Sequence, residues 1–283
     1  MSVSKPSSDF EEEGSVFFSG TATVVIRFAG FTLLTDPNFL HRGDHAHLGY
    51  GLTSRRRTEP ALTVEEANGL PIDAVVLSHL HGDHFDQIAE KRLNKAFPIV
   101  TTPHAADKLA KKGFTTHGLA TWQTKTLTKA NVRLDITALP GKHGPGFVSR
   151  LLPPTMGSLL EFHLPSDRVL RIYISGDTLV FEGLHEIPKK YPSIDLGLIH
   201  LGGTRILGIM LTMDADQGIH AIRIVNPRRV IPIHYDDYDV FKSPLDDFKA
   251  AVKTAGLEDR VTYLGRGETF RFLVKQPEMA VSM

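Results

Sequence analysis

A chain of 283 residues that is 41% hydrophobic and 23% charged has an ordinary globular composition, with length for one large α/β domain or two small ones. Lysine plus arginine and aspartate plus glutamate balance at 32 each, which argues against a general nucleic-acid binder while leaving room for a local basic patch, and no run is apolar for long enough to cross a bilayer. There is no cysteine, so a metal would have to be held by histidine and carboxylate; the polar start of the chain, without an apolar signal core, leads us to expect a soluble, cytoplasmic protein.

Residues 1–14, rich in Ser, Pro and Glu, read as a flexible tail. From Ser15 the runs Val16–Phe18, Thr23–Phe28 and Phe31–Leu34, punctuated by Gly20 and Gly30, predict an antiparallel meander that stops at Asp36-Pro37. Residues 38–60 lack periodicity and read as a long loop, in which His45 and His47 face solvent or substrate. The same loop carries Arg42 and the triplet Arg55, Arg56 and Arg57, whose guanidinium forks suit a phosphate or carboxylate and make them candidate substrate contacts. Thr63-Val64-Glu65-Glu66 has capping-box form and starts a short helix closed by Gly69 and Pro71.

Ala74–Leu77 is an apolar run that reads as a buried strand, and it leads into Ser78-His79-Leu80-His81-Gly82-Asp83-His84. His79 and His81 stand two residues apart, so in extended chain they point the same way and are able to share one metal. Asp83 and His84 follow a turn that Gly82 permits, where the positive end of a helix starting near Asp86 would favour the carboxylate and keep His84 neutral. One histidine on an apolar strand is usually a core residue; four candidate ligands in six positions are not explained that way.

Beyond the cluster the pattern predicts a helix over 86–93, a strand over 98–101, a helix over 103–112 stopped by Gly113, and strands within 121–140. His143 sits among three glycines and two prolines on a tight loop, where packing seldom demands an imidazole. Ser158–Phe162 and Val169–Ile174 form a hairpin that ends in Ser175-Gly176-Asp177, a second carboxylate at a strand end. A helix near 181–190, a strand ending at His200, a helix over 214–225 capped by Asp214, a strand ending at His234-Tyr235, a helix over 246–255 and two short strands complete the chain. The halves echo each other: Asp73 to Leu80 and Asp195 to Leu201 both run from Asp through an apolar strand to His-Leu. The physical reading is two similar strand-and-helix halves stacked sheet to sheet with helices outside, their strand ends meeting along one edge.

The set His79, His81, Asp83, His84, His143, Asp177 and His234 resembles the metallo-β-lactamase superfamily. The resemblance implies an αββα sandwich of two mixed β-sheets with helices on the outer faces, formed by residues 15–283 as one domain. It implies two divalent ions, zinc first, with manganese or iron as alternatives: His79, His81 and His143 on one, Asp83, His84 and His234 on the other, Asp177 bridging, and Asp36 orienting a ligand histidine. The absence of cysteine sets aside the thiolate-ligand β-lactamases, and His81 stands where flavin-linked oxidases of this fold carry Glu. Asp36-Pro37, Gly176-Asp177-Thr178 and Pro232-Ile233-His234 look most like the branch containing ascorbate-6-phosphate lactonase and N-acylethanolamine phospholipase D. The implied activity is hydrolysis of a small ester, lactone or phosphodiester by a metal-bridging hydroxide, with Asp83, His200 or Tyr235 delivering the leaving-group proton; separately, an arginine of the 38–60 triplet turned inward would favour an anionic substrate, whereas a triplet turned outward is a solvated surface cluster. Alternatives are a metal-binding sensor on the same fold and a phosphodiesterase acting on nucleic acid; assembly into a homo-oligomer is compatible with all of them.

Overall fold

The computed structural model describes residues 12–274. In chain order the first half gives β1 (Glu12–Gly20), β2 (Thr23–Phe28), β3 (Phe31–Thr35), β4 (His45–Gly49), β5 (Leu52–Arg55), α1 (Val64–Asn68), β6 (Ala74–Val76), α2 (Gln87–Arg92), β7 (Ile99–Thr101), α3 (Pro103–Ala110) and β8 (Thr116–Gly118). The second gives β9 (Thr124–Lys129), β10 (Val132–Pro140), β11 (Met156–His163), β12 (Val169–Ile174), α4 (Glu186–Lys190), β13 (Leu196–His200), β14 (Arg205–Ile206), β15 (Ile209–Met210), α5 (Ala215–Val225), β16 (Arg229–Ile233), α6 (Leu245–Ala255) and β17 (Thr269–Val274).

Two mixed sheets result, a seven-stranded one in the order β17-β1-β2-β3-β6-β7-β8 and a six-stranded one in the order β16-β13-β12-β11-β10-β9. Both faces of each sheet are covered, and the strands show why. Val24, Ile26, Leu33, Leu134, Ile136, Ile172 and Ile231 point into the core between the sheets. Their neighbours Val25 and Leu34 pack under the helices of the first half, and Tyr173 and Val230 under those of the second. Alternation of two apolar faces therefore yields continuous hydrophobic runs and a four-layer αββα arrangement. The expected half-repeat is present as topology: β3, β6 and β7 run parallel in one sheet, β12, β13 and β16 in the other.

Four local expectations change. The first strand reaches back to Glu12, so residues 12–14, read as tail, pair with β17, and the ring of Phe272 lies where a Cβ on Gly14 would stand; residues 1–11 lie outside the described residues. The stretch 38–60 contains the β4–β5 hairpin, whose short alternation is broken by a register shift and escapes a periodicity test. Within 181–190, a 3₁₀ turn at Glu182–His185 precedes α4. The final pair of strands is one strand, β17, with a lone bridge at Val261.

Candidate metal centre

The parallel strands deliver their C-terminal ends to one edge. Asp36 follows β3, the histidine cluster follows β6, Asp177 follows β12, His200 ends β13 and His234 follows β16. Backbone geometry at this edge is unusual: Asp36 has φ 35° and His234 φ 62°, left-handed values that L-residues with side chains adopt at a cost. Two glycines make the approach possible. Gly176 has φ +61°, and a Cβ there would stand 2.4 Å from the Met156 carbonyl oxygen; a Cβ on Gly82 would stand 2.6 Å from the amide nitrogen of His47, because β4 lies against the ligand loop.

His79, His81 and His143 form one buried set. Nε2 of His79 and Nε2 of His143 lie 2.9 and 3.1 Å from Nδ1 of His81. The far nitrogen of His143 lies 3.0 Å from the Leu211 carbonyl, which accepts only from an N–H, so the proton is on Nδ1 and the lone pair faces inward. A proton on His81 Nδ1 shared with the two neighbouring nitrogens, and a cation among three inward lone pairs, are the two ways to hold these atoms so close. Tetrahedral zinc with bonds of about 2.0 Å sets its nitrogens about 3.3 Å apart, close to the spacing seen.

Asp83, His84, Asp177 and His234 form the adjoining set. His84 Nδ1 faces Asp36 at 3.0 Å and His234 Nδ1 faces the Leu201 carbonyl at 3.1 Å, so both rings turn Nε2 inward. Asp177 lies between the sets, its Oδ2 3.2 Å from His84 Nε2 and 4.0 Å from His79 Nε2. Nε2 of His84 and of His234 and Oδ1 of Asp177 are buried without a hydrogen-bond partner, as groups awaiting a metal would be; Asp83 turns Oδ2 toward the two rings and leaves Oδ1 buried and unbonded. The residues fit divalent ions: neutral nitrogens on one side, nitrogens and carboxylates on the other.

Electrostatics separates the two sets. Burial lowers His79, His81 and His143, His81 to about 3, so these rings are neutral. Burial also acts on His84 and His234, yet Asp177 in first place and Asp83 beside it raise both above the ordinary imidazole range. Against the expected effect of a helix terminus on His84 stand these carboxylates. Asp177, Asp83 and Asp36 outweigh the partial charge of a helix end, and a proton on His84 or a metal cation are alternative ways to balance them.

Behind the ligands, Asp36 accepts from Ser78 N at 2.6 Å and Ser78 Oγ at 3.0 Å, and faces His84. Burial pushes its carboxyl up, but His84 and His200 bring it to about 2, so it stays ionised. Ser78, which links Asp36 to Nδ1 of His79 and of His84, escaped the sequence reading, as did the Leu201 and Leu211 carbonyls. Ser78 had a signal, being adjacent to the first ligand; the carbonyls had none.

Two proton-donor candidates are displaced. His200 lies behind the ligands, fully buried, with Nε2 3.4 Å from Asp36 and Nδ1 3.2 Å from Ser175 Oγ. Tyr235 gives its hydroxyl to the Leu264 carbonyl at 3.0 Å and packs between the sheets near Phe18, because the turn at His234 sends the next side chain inward. Asp83 stands in the ligand set, 3.5 Å from His234 Nε2. The arginine triplet alternates out, in, out. Arg55 and Arg57 are exposed and face Asp239 at 3.3 and 3.9 Å, while Arg56 is 1% exposed, lies over the Tyr238 ring and bonds Asn38. Asn38 in turn donates to the Gly82 carbonyl, so Arg56 supports the ligand loop from behind.

A cavity of about 870 Å³ has His143 in its wall, whereas the arginine triplet does not line it. A smaller one, about 480 Å³ around Asp214 and Lys242, holds none of the ligands.

Two sheets face to face, helices outside and a His/Asp metal cluster at the joined strand ends define a metal-dependent hydrolase of the αββα class. The chain belongs to the beta-lactamase superfamily: the family's domain model matches residues 32–235. A UPF0173 metal-dependent hydrolase of Pelotomaculum thermopropionicum is 30% identical over 210 residues, 74% of this chain and 86% of the relative. Among solved structures, isothiocyanate hydrolase from Delia radicum gut bacteria superposes with a TM-score of 0.78 at 20% identity, over 92% of this chain and all of that one. Igni18, a metallo hydrolase from Ignicoccus hospitalis, superposes at 0.70 and 22% identity, over 93% of this chain and 100% of its own. At these identities the structures speak for the fold alone.

Proposed function

We propose that the protein is a binuclear hydrolase of a small ester, lactone or phosphodiester. The observation that carries the reading is Asp177, whose carboxylate lies against histidines of both sets. His79, His81 and His143 would hold one ion, Asp83, His84 and His234 the other, and Asp177 both; zinc suits this donor set first, manganese or iron after it. Bound there, two divalent ions lower the pKa of a water toward neutrality and polarise the oxygen that gains charge.

The chain's own groups supply the rest. Asp36 and the carbonyls of Leu201 and Leu211 fix the tautomers of His84, His234 and His143, so their free nitrogens point inward without reorganisation. Oδ1 of Asp83, buried and unbonded, is the group we assign to hold the proton released from water and pass it to the leaving oxygen. His200 and Tyr235 are set back from that path.

Elemental analysis of protein reloaded with zinc, manganese or iron should find close to two equivalents per chain, with turnover in a panel of esters, lactones and phosphodiesters. One firm equivalent overturns the binuclear reading. Two equivalents with no turnover of any bond class overturn the hydrolase reading in favour of a metal sensor.

A further inference from the structure

The wall of the 870 Å³ cavity beside His143 carries Lys108, Lys142 and Arg150 and no aspartate or glutamate. Other cations of this surface are neutralised, Lys112 by Glu90 and Arg55 by Asp239, but these three face no carboxylate among the described residues. Lys142 is also fixed in place: its amide donates to Thr178 Oγ1 at 2.9 Å and its carbonyl accepts from Leu179 N at 2.9 Å. It is thereby pinned between His143 and the loop that leaves Asp177. Lys108 and Arg150 are exposed and Lys142 is half-buried, so the cavity wall presents three cations without carboxylate partners, a positive field that draws an anion from solvent.

The remaining wall is mixed: His104, Thr121, Ser149 and Thr155 add neutral polar groups, and an apolar part is formed by Tyr50 from the β4–β5 hairpin and by Leu151, Leu152 and Pro153 from the segment after the turn at Gly146–Arg150. The Tyr50 hydroxyl donates to the Leu151 carbonyl and ties these two walls together. A volume of this size takes a molecule of metabolite or drug dimensions.

We propose that this cavity selects substrates bearing an anionic oxygen group, carboxylate or phosphate, on an apolar body, with Lys142 and Arg150 gripping the anion and the scissile bond lying toward His143. The proposal rests on the hydrolase reading for its catalytic half and on the cavity alone for its binding half. The two halves are tested separately.

The binding arm is titration calorimetry of hexanoate, butyl phosphate and neutral hexanamide on the full chain, chelator-treated and metal-loaded. Both anions should bind the chelator-treated protein about tenfold or more tighter than hexanamide, and the tighter of the two identifies the group. Lys142→Ala and Arg150→Ala should each weaken the anions by about ten- to a hundredfold, the loss of a charge-assisted hydrogen bond, and hexanamide far less. The kinetic arm compares 4-nitrophenyl esters of glutarate and of pentanoate. The ratio of their kcat/KM values should drop by about tenfold in Lys142→Ala, through KM, and reverse in Lys142→Glu. Arg150 is exposed, so its variant keeps the test sharp if Lys142→Ala melts early. Equal binding of anions and hexanamide, or variants that change both alike, overturns the proposal. Anion-selective binding without turnover of either ester overturns the ester form of the hydrolase reading and leaves the cavity assignment standing.

Discussion

Where His79, His81 and His143 meet, three rings that burial keeps neutral face one another with no carboxylate among them. Where Asp83, His84 and His234 meet, Asp177 joins them, and the carboxylates draw both rings toward their charged form. The two regions share an edge and a strand-end origin, yet the first attracts a cation through lone pairs with no charge to neutralise, the second through net negative charge. The first should therefore depend on shape and burial, the second on its carboxylates and the groups that hold them.

Substituting the carboxylate that touches both sets breaks the comparison most severely. Asp177→Asn should leave close to one metal equivalent and cut kcat/KM by more than the roughly 10–100-fold that outer partners cost, because an amide carries no charge to hold two cations near each other. Unchanged turnover with two equivalents bound would reject the bridging assignment. Next in size is Asp36→Asn, which removes the charge directly behind His84 and reaches His79 only through Ser78, so it should weaken one equivalent by about 10–100-fold and the other less. Equal weakening of both in a competitive chelator titration would show that the sets are not separable.

Metal removal sharpens the contrast through pH. Below the ordinary value of 6.5 the unfolded chain takes up a proton that folded His81 refuses until about 3, so stability contributed by this ring falls as the pH drops through that window. His84 and His234 act in the opposite sense: their contribution is complete below 6.5 and fades as the pH rises through their raised values. Chelator-treated protein should thus have its highest Tm near 6.5, and loading, which requires neutral rings, should abolish the alkaline decline. A Tm that is flat from about pH 5 to 9 in both forms contradicts this pairing of signs. The smallest effect belongs to Tyr235→Phe, which deletes one buried hydrogen bond to Leu264 and should lower stability by about 1 kcal/mol with kcat/KM intact, measured by urea unfolding beside an ester assay.

Much of this architecture was legible in the chain because it is written in short range. Strand alternation marked the two-faced sheets, the capping box at Thr63 formed as read, and Asp214 caps α5 by accepting from Gln217 N. The ligand run from His79 to His84 announced itself by density, and His143 by a loop that packing does not explain. The half-repeat pointed to the edge where β3, β6, β12, β13 and β16 end together. What misled was position across the fold. His200 repeats the place of His79 in the second half, but it meets Asp36 behind the metal set. The arginine triplet follows Asp36 closely in sequence, yet the hairpin carries two of its members to Asp239 and buries the third.

By itself, then, the sequence determined the layers and the metal-binding chemistry of the run from His79 to His84, since residue type and close spacing act within a single strand or turn. Only the tertiary structure decided which nitrogen of each ring faces inward, because the deciding partners, the carbonyls of Leu201 and Leu211, are chosen by backbone approach and carry no side-chain signature. It also decided where a substrate is received. Tyr50 from the β4–β5 turn, Lys108 from α3, and Lys142 and Arg150 from the β10–β11 connection are three separate segments, and no pattern along the chain records that folding sets them around one cavity.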